Sequence, residues 1–427
     1  MKDSLLKTAV KSKYVQRMAG AAAVIAVTIY ILTSVYTADL SIPSEEIYKA
    51  LEGNPKIVID FTEGYSDIQI VNGEKGYFAI KENGTYIIID KKGRNLLDTE
   101  LGVFDKPQHA GEYFLIRGNM RTALIHKDTL QMQRFDMENA SLHSSGKYLL
   151  GEWDGWKVIR TDDGSVIYES QHELVWPQKE GYVIEFAAEE PHRIINLQTG
   201  TVEYEAEKDQ VIADGNDDFW LIAEGTCRFV LDAAYQFHDD WPLFREASLG
   251  YGIVIGTAIE DATAADLKAY CEDNMYMVPD IRVFNGNGEE VYWLNPIDIR
   301  YLGSVGNTLV TQNTQTGTFK YKTVGPEGMI SEKITKYYSY LPADGSNAEG
   351  YVLAYKPAVR GQEPMNAAAE PDAERTRAYR WTYLDENLEP VMDFVFHGAS
   401  MADNGYAVVY NEDGYAALID LEQRGGK

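Results

Sequence analysis

The chain has 427 residues, 45% of them hydrophobic and 29 of them tyrosine, which is ample for a packed core and excludes wholesale disorder. Its formal net charge is -27, so its surface repels phosphate backbones and anionic lipid heads and argues against a nucleic-acid or membrane-surface partner. Cationic ligands, metal ions and neutral sugars stay compatible with that charge.

Residues 1–17 form a basic tail, with Lys2, Lys7, Lys11, Lys13 and Arg17 against Asp3. MAGAAAVIAVTIYILTSVY, residues 18–36, follows without a charge and as a helix would cover about 28 Å, close to the bilayer core. The sequence therefore predicts a transmembrane helix over 18–38. Because Asp39, Glu45 and Glu46 come next, the lysine-rich end is expected in the cytoplasm and the rest of the chain outside it. A cleaved signal peptide fits less well: its apolar region is shorter, and VYTAD puts Tyr36 where a small residue is wanted. Residues 39–55 read as a juxtamembrane linker holding a short helix in SIPSEEIYKALEG, with Ser44 as N-cap and two glutamates in the first turn.

From residue 56 the helical period disappears. Instead, a glycine or small polar residue followed by an aromatic and alternating apolar residues recurs: GYFAIKENG at 76, GEYFLIRGN at 111, GKYLLGEWDG at 146, GYVIEFAAE at 181, DFWLIAEG at 218, GYGIVIG at 250, GNTLVTQN at 306, GYVLAYK at 350 and GYAVVYNEDG at 405. Each start leads into a second strand, then a turn such as DKKG, LQTG or FNGNG, which supplies the positive φ that hairpins need, then a third strand and a weaker fourth. Four short strands per repeat is a blade, so the fold class is all-β, a β-propeller of eight or nine blades, with the count of starts favouring nine. The last unit stops after YAALIDLEQRGG, while KIVIDF, residues 56–61, parallels PVMDFV near its own start. KIVIDF is therefore expected to be the missing outer strand of the final blade, closing the ring and covering a sheet edge. The propeller domain is thus residues 56–427.

GTYIIIDKKGRNLL and DGYAALIDLEQRG resemble the WG-type repeats of bacterial surface proteins, although the Trp-Gly dipeptide itself is missing, and NLQTGTVEYE is similar to the turn of quinoprotein-like repeats. Either resemblance implies a propeller scaffold and leaves function to the sites grafted on it.

Two insertions interrupt the repeat between a start strand and the second strand that follows it. Residues 257–280 hold a predicted helix over 263–272, with Asp261, Asp266, Glu272 and Asp273 beside Tyr270 and Tyr276, and these six are the candidate ligand-binding residues. Residues 357–377 are rich in Ala, Pro and Glu and read as a flap. Long loops on a rigid scaffold are where binding usually resides, and both nominate one face.

Acidic residues recur near the ends of third strands, at Asp60, Asp98, Asp136, Glu169, Glu205, Asp239 and Asp393, and are read as turn caps. The seven tryptophans are read as seals between blades. Cys227 and Cys271 both fall in the exported part, where an oxidising compartment permits a disulfide that the spacing does not require; two buried thiols is the plainer reading. No metal-binding spacing, phosphate loop or glycine-flanked nucleophilic serine occurs, His397 and Ser400 lack an orienting acid, and no cofactor is expected. The functional expectation is a membrane-anchored extracytoplasmic module binding a protein or carbohydrate at the insertion-bearing face. Alternatives are a carboxylate-dependent hydrolase or lyase of envelope polysaccharide, and an accessory subunit whose helix packs in a membrane complex.

Overall fold

The computed structural model describes residues 44–51, 56–97, 101–102, 107–118, 121–187, 190–264, 281–294, 299–340, 351–357, 379–385 and 388–422. The basic tail and the expected span at 18–38 lie outside them. Among the described residues no helix is long and apolar enough to cross a membrane. The short helix expected after the span is present as Ser44–Leu51. It is not a free tether: Ile47 and Leu51 are buried in the apolar cluster of the last sheets, and Tyr48 donates to Asp60 at 2.6 Å.

The protein is all-β, built from many small antiparallel sheets in a manner consistent with a propeller. The alternation of apolar and polar residues after each glycine makes mostly short strands, and most of the turns between them are too short for anything but antiparallel neighbours. The first sheet shows the pattern: Ile68–Asn72, Tyr77–Glu82, Thr85–Asp90 and Leu101–Gly102 pair in sequence order. Three further four-stranded sheets follow through Glu205, then a seven-stranded sheet from Gln210 to Leu294, a four-stranded sheet from Ile299 to Thr335 and a three-stranded sheet from Tyr338 to Leu384. The seven-stranded sheet is held at its middle by a single pair, Arg228 with Phe244.

Each sheet packs on the next through its own apolar cluster. Tyr86 and Ile88 meet Phe114 and Ile125 between the first and second sheets, Leu150 and Val158 meet Val183 and Ile195 between the third and fourth, and Phe219 and Val230 meet Phe244 and Val254 across the middle of the seven-stranded sheet. The series returns on itself, since Val408, Ala416 and Leu418 of the last sheet pack against Ile68, Phe78 and Ile89 of the first.

That closure also involves the strand expected to provide it. Lys56–Ile59 pairs antiparallel with Ala416–Asp420, so the last sheet takes its fourth strand from the opposite end of the chain. Beside it, Asp67 bridges the two sheets: Tyr86 from the first and Tyr410 from the last each donate a hydroxyl to it, the second at 2.8 Å, and Gln69 donates its amide at 2.9 Å. Burial and the charge of Asp67 push both phenols well up, so they stay protonated donors across the ordinary pH range. Gly73 approaches Asp403 so closely that a Cβ would fall 2.4 Å from its carbonyl oxygen, and only glycine fits there.

The acidic residues near third-strand ends divide. Asp60 does cap, accepting from the Thr62 N–H at 2.9 Å, but Glu169 and Glu205 instead pair across the ladder with Lys157 at 3.3 Å and Arg193 at 2.9 Å. Asp98 lies outside the described residues. The recurrent caps stand one strand earlier: Asp90, Asn196, Asp232 and Asn285 each accept two backbone N–H groups of the following turn, at 2.8 to 3.3 Å. Such a side chain substitutes for the carbonyl that the tight turn cannot present. At Asp90 the Arg94 N–H and guanidinium hold the carboxyl down at about 2.

Replacing Tyr410 with Phe removes one of the donors on Asp67 and is expected to cost about 1–3 kcal/mol of unfolding free energy in urea denaturation. Asp67→Ala, which strands two largely buried hydroxyls, should cost more; a loss within error in both variants would show that the seam does not depend on this carboxylate.

Candidate functional site

In a sheet of four antiparallel strands, the connection from second to third strand lies at one end, and those from first to second and third to fourth at the other. Both insertions leave second strands. The first follows Ile253–Thr263, an eleven-residue strand in the seven-stranded sheet, and the second follows Val352–Pro357. With the seven-stranded sheet divided at its single middle pair, each insertion follows a second strand, so the two leave the same end. The helix expected over 263–272 does not begin at Thr263, which completes the strand, and Asp261 lies within that strand rather than in a loop. Asp266, Tyr270, Cys271, Glu272, Asp273 and Tyr276, like the flap beyond Pro357, lie outside the described residues.

Cys227, at the start of Cys227–Asp232, is fully buried with a free thiol, in an apolar cluster with Trp220 and Phe229. Trp220 and Trp381 are fully buried and Trp241 nearly so, which matches their reading as seals, whereas Trp153 and Trp293 are about half exposed. Trp153 has the Lys157 ammonium 5.0 Å from its ring. The His397 and Ser400 pair has no catalytic arrangement at the serine: Ser400 Oγ donates to the Met401 carbonyl at 2.9 Å and accepts the Val408 N–H at 3.0 Å.

At the opposite end, the seven-stranded sheet opens a shallow cleft of about 330 Å³. Its walls are turns: Asp218 and Phe219 on one first-to-second connection, Gly252 on the next, and Asp232, Ala234 and Gly286 on third-to-fourth connections. The Asp218 carboxylate accepts the Gly252 N–H at 2.8 Å and so fastens the two halves of the sheet together. Asp232 has one oxygen on the Ala234 and Gln236 N–H groups and the other 3.0 Å from His238 Nε2, while the His238 ring stacks on Trp241 at 4.3 Å. Burial pushes the Asp232 carboxyl up, but the His238 hydrogen bond and the two N–H groups outweigh it and hold it below the usual range. Sequence reasoning missed this cleft. Its glycines and acids belong to ordinary turn motifs, GNDDF, LDAAY and FNGNG, and only the lateral neighbour turns them into walls.

The first-to-second turns at this end also contact one another from sheet to sheet. Lys147 pairs with Glu180 at 2.5 Å, Gln178 donates to Asp214 at 2.6 Å, Asn216 donates to the Gly250 carbonyl at 2.9 Å, and Tyr251 N–H donates to Asn307 at 2.7 Å. Among the described residues no group of three or more His, Cys, Asp or Glu side chains gathers to hold a metal ion.

No family model matches the sequence, and no curated protein matches it. Among solved structures the chain is similar to the computationally designed Ika8 protein, at 12% identity over 73% of this chain and 94% of that one, with a TM-score of 0.36. It is similar to BamB from Moraxella catarrhalis at 10% identity, covering 82% and 80%, TM-score 0.28, and to the dihydro-heme d1 dehydrogenase NirN at 11%, covering 82% and 76%, TM-score 0.34. BamB and NirN are β-propeller proteins, BamB a quinoprotein-like one. At these identities and TM-scores the likeness transfers neither ligand nor reaction.

Replacing His238 with Ala removes one group that lowers Asp232, so the carboxyl should titrate at higher pH, read from its side-chain carbon shift by NMR. A folded pKa held below the unfolded value contributes stability that is present above about pH 4 and lost as pH falls through the folded value, so the variant should also lose part of that acid-dependent stability. An unmoved titration would place the hold on Asp232 with the backbone N–H groups alone.

Proposed function

We propose that this chain is a binding module: a nine-bladed propeller tethered by one membrane-spanning helix, displayed outside the cytoplasm and recognising its partner non-covalently with the end that bears the two insertions. The observation that carries this reading is the common origin of both insertions, each leaving a second strand at the same end of its sheet. Several first-to-second turns at the other end are short and tied to their neighbours, although the connection over 341–351 is longer.

The count of nine is supported by dividing the seven-stranded sheet at its single Arg228 to Phe244 pair. The two halves then face each other through Phe219, Val230, Phe244 and Val254, as the other neighbouring sheets face each other. The tether rests on residues 18–38 and the orientation on the lysines before them. The expected partner is a protein or carbohydrate of the cell envelope, and the net charge of -27 favours one that is neutral or basic.

Two measurements test this reading. Protease added to intact spheroplasts should digest the ring, leaving a membrane-embedded N-terminal fragment; protection of the ring would reverse the orientation. Replacing residues 265–278 and 359–377 by short Gly-Ser linkers should reduce binding to isolated envelope polysaccharide or protein at least about tenfold with thermal stability unchanged, the effect expected when a central binding patch is removed. Undiminished binding would move recognition off this end, and release of new reducing ends by the unaltered chain would replace the binding reading with a polysaccharide-cleaving one.

A further inference from the structure

Two turns at the end of the ring opposite the insertions are capped by imidazole where other repeats use Asp or Asn. Asp90, Asn196, Asp232 and Asn285 each stand opposite the first residue of the preceding strand and accept N–H groups of the turn that follows. In the second sheet that place, opposite Tyr113, belongs to His126. Its Nδ1 accepts the N–H of Asp128 at 3.2 Å and of Thr129 at 3.4 Å, as Asn196 accepts those of Gln198 and Thr199 at 2.9 and 3.3 Å. The backbone matches as well: the Leu130 N–H donates to the His126 carbonyl at 2.9 Å, as the Gly200 N–H does to that of Asn196 at 2.8 Å.

The next turn at this end repeats the substitution. His143 opens the first-to-second turn of the third sheet, donating its own N–H to the Tyr148 carbonyl at 3.0 Å. Its Nδ1 accepts the Ser145 N–H at 3.1 Å and lies 2.9 Å from Ser145 Oγ. Asn216 does the same in the seven-stranded sheet, accepting the N–H groups of Asp218 and Phe219 at 3.0 and 2.8 Å while its own N–H donates to the Phe219 carbonyl.

A backbone N–H only donates, so Nδ1 is the bare nitrogen in both histidines and Nε2 carries the ring proton. Here imidazole parts from amide. An Asn oxygen accepts whatever the pH, whereas an imidazole that gains a proton has two donors and no acceptor, and sets N–H against N–H in the turn. His143 is 2% exposed, with Trp176 edge-on to it at 5.4 Å between centroids. Burial holds its pKa below the ordinary value, helped by Lys147, against Glu180 and the carbonyls of Pro177 and Gln178, which favour the charged ring. Around His126 stand Lys127 and Asp128 on its own turn, Glu112 and the edge-on Tyr113 ring on the paired strand, and Lys75 reaching Asp128 from the first sheet.

Each turn carries a link between sheets. Asp128 accepts the Asn72 amide at 2.7 Å and pairs with Lys75 at 3.5 Å, which joins the second sheet to the first. Lys147 pairs with Glu180 of the fourth sheet, and Gly146 lies so close to the second that a Cβ would meet the Ala110 carbonyl oxygen at 2.5 Å.

We propose that His126 and His143 are proton-released caps: with both rings neutral the ends of the first four sheets are held together, and protonation frees the two turns and loosens those links. This goes beyond the binding reading and does not rest on it. Acid thus softens one side of the ring, while turns capped by Asn196 and Asn216 stay firm. Because burial depresses the folded pKa of His143, its contribution to stability is complete above the unfolded value of about 6.5 and is lost as pH falls from there through the folded value.

Hydrogen–deuterium exchange of the full chain at about pH 7.5 and about pH 5, with labelling times scaled to the intrinsic pH dependence of exchange, tests the caps. Peptides over 127–131 and 144–148 should lose about tenfold in protection at the lower pH, against an unchanged peptide over 197–201. His126→Asn and His143→Asn place in each turn the residue that other repeats use there, so each should remove the acid response of its own turn and leave that of the other. Should either variant fail to fold, the contrast between 127–131 and 197–201 in the unaltered chain still decides. Equal acid softening at 197–201, no change at either histidine turn, or a response that persists in both Asn variants would overturn the proposal.

Discussion

The seam between the first and last sheets is the contact on which the rest of the structure depends. Every sheet packs on two neighbours, and a row of such sheets has two raw faces unless its ends meet. Here they meet in three ways. Lys56–Ile59 completes the last sheet, Val408 and Leu418 bury themselves against Ile68 and Phe78, and Asp67 draws a hydroxyl from each side. The carboxylate is suited to this place because it accepts several hydrogen bonds at once and can join two sheets that share no ladder. Since the strand that closes the ring comes first in the chain and its partners last, closure links the chain's two extremes across a loop of more than 300 residues, a non-local contact of the slowest kind to form.

Once the ring is closed, its two ends have different freedom. Several first-to-second turns touch from sheet to sheet, through Lys147 with Glu180, Gln178 with Asp214 and Tyr251 with Asn307, which constrains the length of those turns. Third-to-fourth turns at the same end are tightened by the capping side chains of Asp90, Asn196, Asp232 and Asn285. The two insertions follow second strands and so leave from the other end.

Most of the architecture was legible in the sequence, for a physical reason. Alternation of apolar residues and glycine turns are local signals, and the strand Tyr77–Glu82, its partner Thr85–Asp90 and the Asn83-Gly84 turn between them follow from those alone. Closure was legible because the last repeat stops after YAALIDLEQRGG and KIVIDF parallels PVMDFV near its start. What the sequence hid depends on lateral contact. Glu169 and Glu205 look like turn acids until the ladder sets them opposite Lys157 and Arg193. Tyr235 looks like any loop tyrosine, and only its place in a turn that elsewhere takes glycine, with Trp220 beyond it, marks it as unusual.

That tyrosine also shows how such a fold takes an unusual residue into a turn without disturbing its frame. The sheets supply a repeated turn with one position of positive φ, and in most repeats the cheapest occupant, glycine, stands there. Where a large side chain takes that position, the strain of roughly 1–3 kcal/mol must be offset by what the side chain contacts. Leu388, at the same place three residues after Asp385, offsets it by packing on the apolar cluster of Val352 and Leu384. Tyr235 does so partly with polar and aromatic contacts that face the wet end of the ring, with Glu203 exposed at its hydroxyl and Lys179 on the far side of the same indole. Its hydroxyl ties the turn of one sheet to Glu203 of the neighbouring sheet, as the hydroxyls on Asp67 tie the first sheet to the last. Leu388 and Tyr235, equal in backbone and unequal in chemistry, show one strained turn position offset by apolar packing in one repeat and by ring stacking and a hydroxyl–carboxylate contact in another.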